Sequence, residues 1–171
     1  HRYALLDDYG IRQIVLAEPG PLTAEDTIVV ATDHYTVALR AALQVIKPAY
    51  IYERLCLGNY SAAQLSLELK IPYILEYNGS QISMGRSFDS EGYRYEGEYL
   101  QAEAFAFKQA TMISVVSSEV KATLVARGVD PGKILVNPNG ADLVTYAPQR
   151  FIVRATRAPN AEDIRLSRAH G

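Results

Sequence analysis

Short runs of β-branched and apolar residues that alternate with helical patterns are the feature that most limits what this chain can fold into. Runs of this length and composition are typical of strands buried on both faces. They occur at residues 13–17, 28–31, 49–52, 73–77, 112–116 and 134–136, and helical spacing of apolar residues occurs at 36–46, 61–70, 91–109 and 118–127. The alternation predicts an α/β fold with a doubly wound, mainly parallel sheet.

Residues at the ends of the predicted helices support these boundaries. Ser117 or Ser118 can cap the fourth helix, and Gly128 can supply the left-handed residue that ends it. Prolines at 48 and 72 favour helix exits just before them.

Length and composition favour one globular domain. The chain has 171 residues, of which 49% are hydrophobic and 21% are charged, so it can build a real core. The alternation fails after Pro148, where an arginine-rich segment begins, and we therefore expect a domain at 1–148 and a tail at 149–171. The chain begins at His1 within what looks like the end of a helix, so we expect its N-terminus to be truncated.

Charge and cysteine content exclude several classes of function. A net charge of −2 gives no overall positive field for nucleic acid. Cys56 is the single cysteine, which excludes an internal disulfide and any cysteine-based metal cluster, and the scattered histidines have no metal-ligand spacing. No apolar run reaches the length of a membrane span, and we expect a cytoplasmic protein.

Polar residues follow most of the predicted strands. In an open parallel sheet, ligands bind beyond the carboxyl ends of the strands, so these residues are expected to share one rim. They are Thr32-Asp33-His34, Glu53-Arg54, Asn78-Gly79-Ser80, Ser117-Ser118-Glu119 and Asn137-Pro138-Asn139-Gly140. The dinucleotide fingerprint Gly-x-Gly-x-x-Gly is missing.

Each group also has a purely structural interpretation. Asn78-Gly79 is an ordinary turn dipeptide, Glu53-Arg54 can be a surface ion pair, and His34 can be a partly buried structural histidine. Glu76 stands out because it lies within an otherwise buried strand, where its carboxylate needs a partner or a shifted pKa.

Three blocks of sequence resemble the N-terminal domain of family 4 glycosyltransferases. They are IPYILEYNGS at 71–80, MISVVSSE at 112–119 and VARGVDPGKILVNPNGADLVTYAP at 125–148, and PAYIYER at 48–54 is similar to an upstream strand of that family. The resemblance covers roughly residues 10–148, although Ala141 replaces the usual valine of the Asn-Gly-Val-Asp block.

The resemblance implies one Rossmann-like half of a GT-B fold and a retaining transfer from a nucleotide-diphosphate sugar, without a cofactor or metal. It implies a sugar or glycolipid acceptor and no nucleic-acid partner. It does not decide whether the protein also contacts the surface of a membrane. The acceptor-side cleft would include Arg54, Glu76, Asn78, Gly79 and Ser80. The interdomain edge would include Asn139, Gly140 and Asp142, and no residue is assigned as a catalytic base.

The donor-binding half that this family carries after its first domain has no counterpart in the arginine-rich tail, so the chain is expected to be inactive alone. Two other functions stay open: a non-catalytic α/β binding or interaction module, and another GT-B enzyme such as a sugar epimerase.

Overall fold

The structure, a computed structural model, describes residues 10–11, 24–88 and 92–140. The chain divides into two compact units, His1–Asn139 and Gly140–Gly171, and every element given below belongs to the first. The predicted strand at 13–17 and the predicted tail at 149–171 lie outside the described residues.

Among the described residues, four parallel strands form one sheet, in which strands that are consecutive in the chain are paired. They are β1 (Ile51–Arg54), β2 (Tyr73–Tyr77), β3 (Met112–Val115) and β4 (Ile134–Val136). The helices are α1 (Ala24–Ile46), α2 (Ser61–Leu69), α3 (Gln81–Phe88), α4 (Glu96–Gln109) and α5 (Ser118–Ala126), with a 3-10 turn at Pro131–Lys133. The predicted α/β class with a parallel sheet is confirmed.

The main core lies between one face of the sheet and helices α2, α4 and α5. Tyr73, Leu75 and Ile113 on that face are fully buried against Ala63 of α2 and Ala106 of α4. Burial of a large apolar side chain contributes about 1.5–3 kcal/mol. Alternate strand residues point to the opposite face, where the row Arg54–Glu76–Ser114–Leu135 runs across all four strands in register.

Helix boundaries follow the sequence signals closely. The Ser117 hydroxyl accepts a hydrogen bond from the Val120 amide at 3.3 Å and caps α5, and Gly128 has a φ of +85° just after that helix. Helices α1 and α2 end at Ile46 and Leu69, just before the two prolines. These predictions are confirmed.

The predicted strand at 28–31 is wrong, because this segment belongs to helix α1. Burial in α1 recurs at helical spacing, with Ala31, Thr32, Thr36 and Leu43 buried, while Val29 stays 42% exposed. The hydroxyls of Thr32 and Thr36 donate to the carbonyls four residues earlier at 3.0 and 2.8 Å. Packing of one helical face therefore overrides the strand preference of the β-branched run.

Two further differences occur near α3 and α4. Helix α3 is an element that the periodicity does not predict, and α4 begins at Glu96 instead of residue 91. The Ser80 hydroxyl accepts a hydrogen bond from the Ser83 amide at 3.2 Å at the start of α3. This hydrogen bond satisfies one of the free amides in the first turn of α3.

Candidate functional site

A small polar cavity lies at the carboxyl ends of β2, β3 and β4. Its volume is about 150 Å³, and its walls combine one carboxylate with amide and hydroxyl groups. The lining residues are Tyr52, Glu76, Asn78, Ser114, Val115, Val116, Asn137 and Asn139. We call this the rim cavity.

Strand pairing explains why these residues meet. Glu76 of β2 lies beside Ser114 of β3, and both side chains point away from the main core. The Asn137 amide donates to the Val115 carbonyl at 2.7 Å, which holds the segment after β4 against the end of β3. The rim cavity therefore follows from parallel pairing in chain order.

Glu76 is the centre of the hydrogen-bond network in the rim cavity. The Tyr52 hydroxyl donates to its Oε2 at 2.7 Å, Asn78 Nδ2 donates to its Oε1 at 2.8 Å, and Arg54 Nε lies 3.8 Å from Oε1. These contacts, with the Tyr52 hydrogen bond as the largest, lower the pKa of the Glu76 carboxyl. The prediction that this carboxylate needs a partner or a shifted pKa is confirmed.

An ionised Glu76 is a hydrogen-bond acceptor and a weak proton acceptor. Two carboxylate oxygens offer about four acceptor positions, so positions remain for a ligand hydroxyl. Asn78 uses one amide hydrogen on Glu76 and keeps its oxygen and second hydrogen for a ligand. The cavity can thus bind a neutral polar group through hydrogen bonds.

The structure brings some of the predicted site residues together and separates others. Glu76, Asn78 and Asn139 line the rim cavity, and Arg54 contacts it only through Glu76. Gly79, at a φ of +117°, and Ser80 form the connection from β2 to α3 and do not line the cavity.

Five other predicted positions have different outcomes. Gly140 is exposed beside Asn139, and Asp142 lies outside the described residues. The expected place of Thr32-Asp33-His34 on the rim is wrong because these residues lie within α1, where His34 is exposed instead of partly buried.

Glu53 and Arg54 point to opposite faces of β1 and do not form the surface ion pair that their adjacency suggested. Glu53 accepts hydrogen bonds from the Tyr73 hydroxyl at 2.5 Å and from Asn59 Nδ2 at 3.1 Å. Asn59 Oδ1 in turn accepts from the Ser61 amide at 3.0 Å, at the start of α2. Glu53 therefore anchors the loop after β1.

Tyr52 and Ser114 also line the rim cavity but are not predicted at the site, whereas Asn137, which lines it too, belongs to the predicted rim. Ser114 is buried within an apolar strand, the same signal that marks Glu76, so it could have been found. Tyr52 gives no such signal, since tyrosine is common in strands.

Replacing Glu53 with glutamine is expected to flatten the dependence of stability on pH. Burial raises the pKa of the Glu53 carboxyl, although the Tyr73 hydrogen bond opposes the shift. A raised folded-state pKa gives stability that is complete below the unfolded pKa of about 4.3 and is lost as pH rises through the folded pKa. Urea titrations at several pH values should show that the free energy of unfolding of the wild type, relative to that of Glu53→Gln, falls as the pH rises above about 4. A relative stability that increases with pH above this point would contradict the assignment.

The described residues give no sign of a metal centre or membrane span. No group of three or more histidine, cysteine or acidic side chains is close enough to hold a metal ion within 10–11, 24–88 and 92–140. In the same ranges, no helix combines the length and apolar character that crossing a bilayer requires.

Comparison with known proteins identifies the fold. No protein-family profile matches the sequence, and no curated protein matches it. A UDP-N-acetylglucosamine 2-epimerase from Rickettsia bellii is similar over 80% of this chain, with a TM-score of 0.53 and 17% identity. The UDP-GlcNAc 2-epimerase from Methanocaldococcus jannaschii is similar over 78%, with a TM-score of 0.51 and 17% identity.

This chain spans 34% of the length of each of these two proteins. At such low identity the similarity shows the fold alone, and both proteins share the GT-B fold. The described unit therefore has the architecture of a Rossmann-like half of a GT-B protein. The specific resemblance to family 4 stays a prediction.

Proposed function

We propose that this chain is the acceptor-side half of a GT-B enzyme that acts on nucleotide-diphosphate sugars, and specifically of a retaining glycosyltransferase. The observation that carries the proposal is the rim cavity, whose carboxylate, amide and hydroxyl groups surround the carboxyl ends of parallel strands. Ligands of open α/β sheets bind at this edge. Hydrogen-bonding side chains of this kind match the hydroxyl groups of a sugar.

The charge of the cavity supports the acceptor side over the donor side. No lysine or arginine is among the eight residues that line the rim cavity, and Glu76 is held ionised. The carboxylate of Glu76 would repel a diphosphate, which needs compensating positive charge, so a donor would bind on a second Rossmann-like domain. Transfer would then occur between the two domains.

Asn78→Ala in the gene product that contains this chain is expected to reduce kcat/KM for sugar transfer by roughly tenfold or more. The substitution removes a hydrogen-bonding amide from the cavity and one partner of the Glu76 carboxylate, each a loss of about 1–2 kcal/mol. Steady-state assays of sugar transfer from a nucleotide-sugar to an acceptor measure kcat/KM. Gln101→Ala, which truncates an exposed side chain on α4, is the matched control.

Normal transfer by a folded Asn78→Ala variant would contradict the site. The reading frame after Gly171 supplies a separate test, because the proposal requires a second Rossmann-like domain. A stop codon directly after Gly171 would favour a non-catalytic binding module.

An epimerase is the second candidate, and the similarity to UDP-GlcNAc 2-epimerases favours it. The two activities separate in one experiment in which the gene product is incubated with UDP-GlcNAc. Formation of an epimeric sugar-nucleotide without any acceptor favours the epimerase, whereas consumption that depends on an added sugar acceptor favours the transferase.

A further inference from the structure

A second cavity, away from the rim cavity, lies between helix α1, the loop after β1 and the start of α4. Its volume is about 260 Å³. Its walls are mainly apolar and aromatic and carry two carboxylates; the residues are Ile28, Val29, Thr32, Asp33, Gly58, Tyr60, Tyr95, Glu98 and Tyr99. We call this the tyrosine cavity. It shares no lining residue with the rim cavity.

Aromatic rings form one corner of the tyrosine cavity. The rings of Tyr95 and Tyr99 pack edge to face, with centroids 6.5 Å apart and planes at 62°. Tyr60, half-buried at the start of α2, adds a third ring. Rings set at an angle to one another can present their electron-rich faces to a cation.

Hydrogen bonds to α1 hold this aromatic corner in place. Tyr99 donates its hydroxyl to Glu25 at 3.2 Å, and Tyr95 donates its hydroxyl to Asp26 at 2.9 Å. Glu25 also accepts hydrogen bonds from the amides of Arg94 and Tyr95 at 3.1 and 3.3 Å, just before α4 begins. The corner is therefore formed before a ligand arrives.

The charge around the tyrosine cavity is negative. Asp33 and Glu98 are exposed carboxylates of the lining, and no lysine or arginine is among the lining residues. Arg94 is the neighbouring basic residue; its guanidinium lies 5.0 Å above the Tyr95 ring and 3.9 Å from Asp26. Asp33 and Glu98 have no ion-pair partner within the part of the chain that the structure describes.

We propose that the tyrosine cavity binds a small organic cation, with the positive group against the half-buried rings of Tyr60 and Tyr95, which the buried Tyr99 supports, and with Asp33 and Glu98 as counter-charges. The apolar walls exclude a bare metal ion, which needs several oxygen ligands, and the two carboxylates disfavour an anion. Cation–π contact and ion pairing both act on an alkylammonium group of this size. The site does not depend on the proposed sugar chemistry.

The test compares two molecules of the same shape that differ in charge. Choline and its neutral isostere 3,3-dimethylbutan-1-ol are titrated into the 171-residue chain at low salt and followed by NMR chemical shifts or calorimetry. Choline should bind at least about fivefold more tightly than the isostere, since the charge supplies the cation–π and ion-pair interactions. Equal binding of the two, or no binding of choline, would overturn the proposal.

Variants locate the site. Asp33→Asn and Glu98→Gln should each weaken choline binding by about threefold, and Tyr60→Leu, which keeps an apolar wall, should weaken it by a similar factor. Glu119→Gln is the matched control for Glu98→Gln, because both residues are exposed in the first turn of a helix and Glu119 is remote from the cavity lining. Choline binding that survives the double variant Asp33→Asn/Glu98→Gln unchanged would also overturn the proposal, and circular dichroism verifies that each variant is folded.

Discussion

Gly58→Ala is expected to lower the free energy of unfolding by about 3 kcal/mol. Gly58 has a φ of +69°, and a Cβ there would lie 2.8 Å from Ile28 Cγ2 and from two ring carbons of Tyr99. Left-handed backbone costs a non-glycine residue about 1–2 kcal/mol, and overpacking a close contact costs about 1–3 kcal/mol. Urea unfolding followed by circular dichroism measures the loss.

Gly128→Ala separates the cost of a left-handed backbone from the cost of overpacking, the two effects that lower the stability of Gly58→Ala. Gly128 has a φ of +85°, but a Cβ there would meet nothing within 4 Å. Its substitution should therefore cost only the backbone strain, about 1 kcal/mol. Equal losses in the two variants would show that α1 and α4 do not pack closely on the loop at Gly58.

Arg127→Met is expected to lower the free energy of unfolding by about 2–3 kcal/mol. Arg127 Nη1 donates to Glu103 Oε2 at 2.8 Å, and the Glu103 side chain is only 7% exposed. Removing one partner of a buried pair leaves an uncompensated charge, a loss of about 3–5 kcal/mol when the pair is fully buried. We expect less here because the Arg127 side chain is 30% exposed and water reaches it.

Two further variants test whether burial of the Glu103 carboxylate causes the loss of stability expected for Arg127→Met. Arg40→Met removes the more exposed ion pair with Glu68, whose hydrogen bonds are both 2.9 Å, and should lower the free energy of unfolding by less than Arg127→Met does. The double variant Glu103→Leu/Arg127→Met should regain part of the loss, because no buried charge remains. A double variant less stable than Arg127→Met would contradict this explanation.

The sheet could be predicted from the sequence because its strands are short apolar runs with clear ends. Strands β2 and β4 have the predicted bounds, and β1 and β3 differ by two residues or fewer at their ends. The segment 28–31 shows where this reasoning fails. Its composition suits a strand, but the segment is helical and buries Ala31 and Thr32 on the face of α1 that packs on the rest of the fold.

The candidate site could be predicted in part. The rule that ligands bind beyond the ends of parallel strands placed Asn78, Asn137 and Asn139 on one rim, and all three line the rim cavity. It placed Ser80 with them, although the Ser80 hydroxyl caps α3. The tyrosine cavity could not be predicted, because its residues come from three separate segments and none carries a local signal.

Pairing of every strand with its successor has a consequence for synthesis of the protein on the ribosome. The order β1-β2-β3-β4 means that each new strand adds to an edge already made by earlier residues. Among the described strands, none pairs with a strand that is not its neighbour in sequence, so each pairing closes only the connection between consecutive strands. This part of the sheet can therefore grow one strand at a time in the direction of translation, with β4 the last of the four to be added.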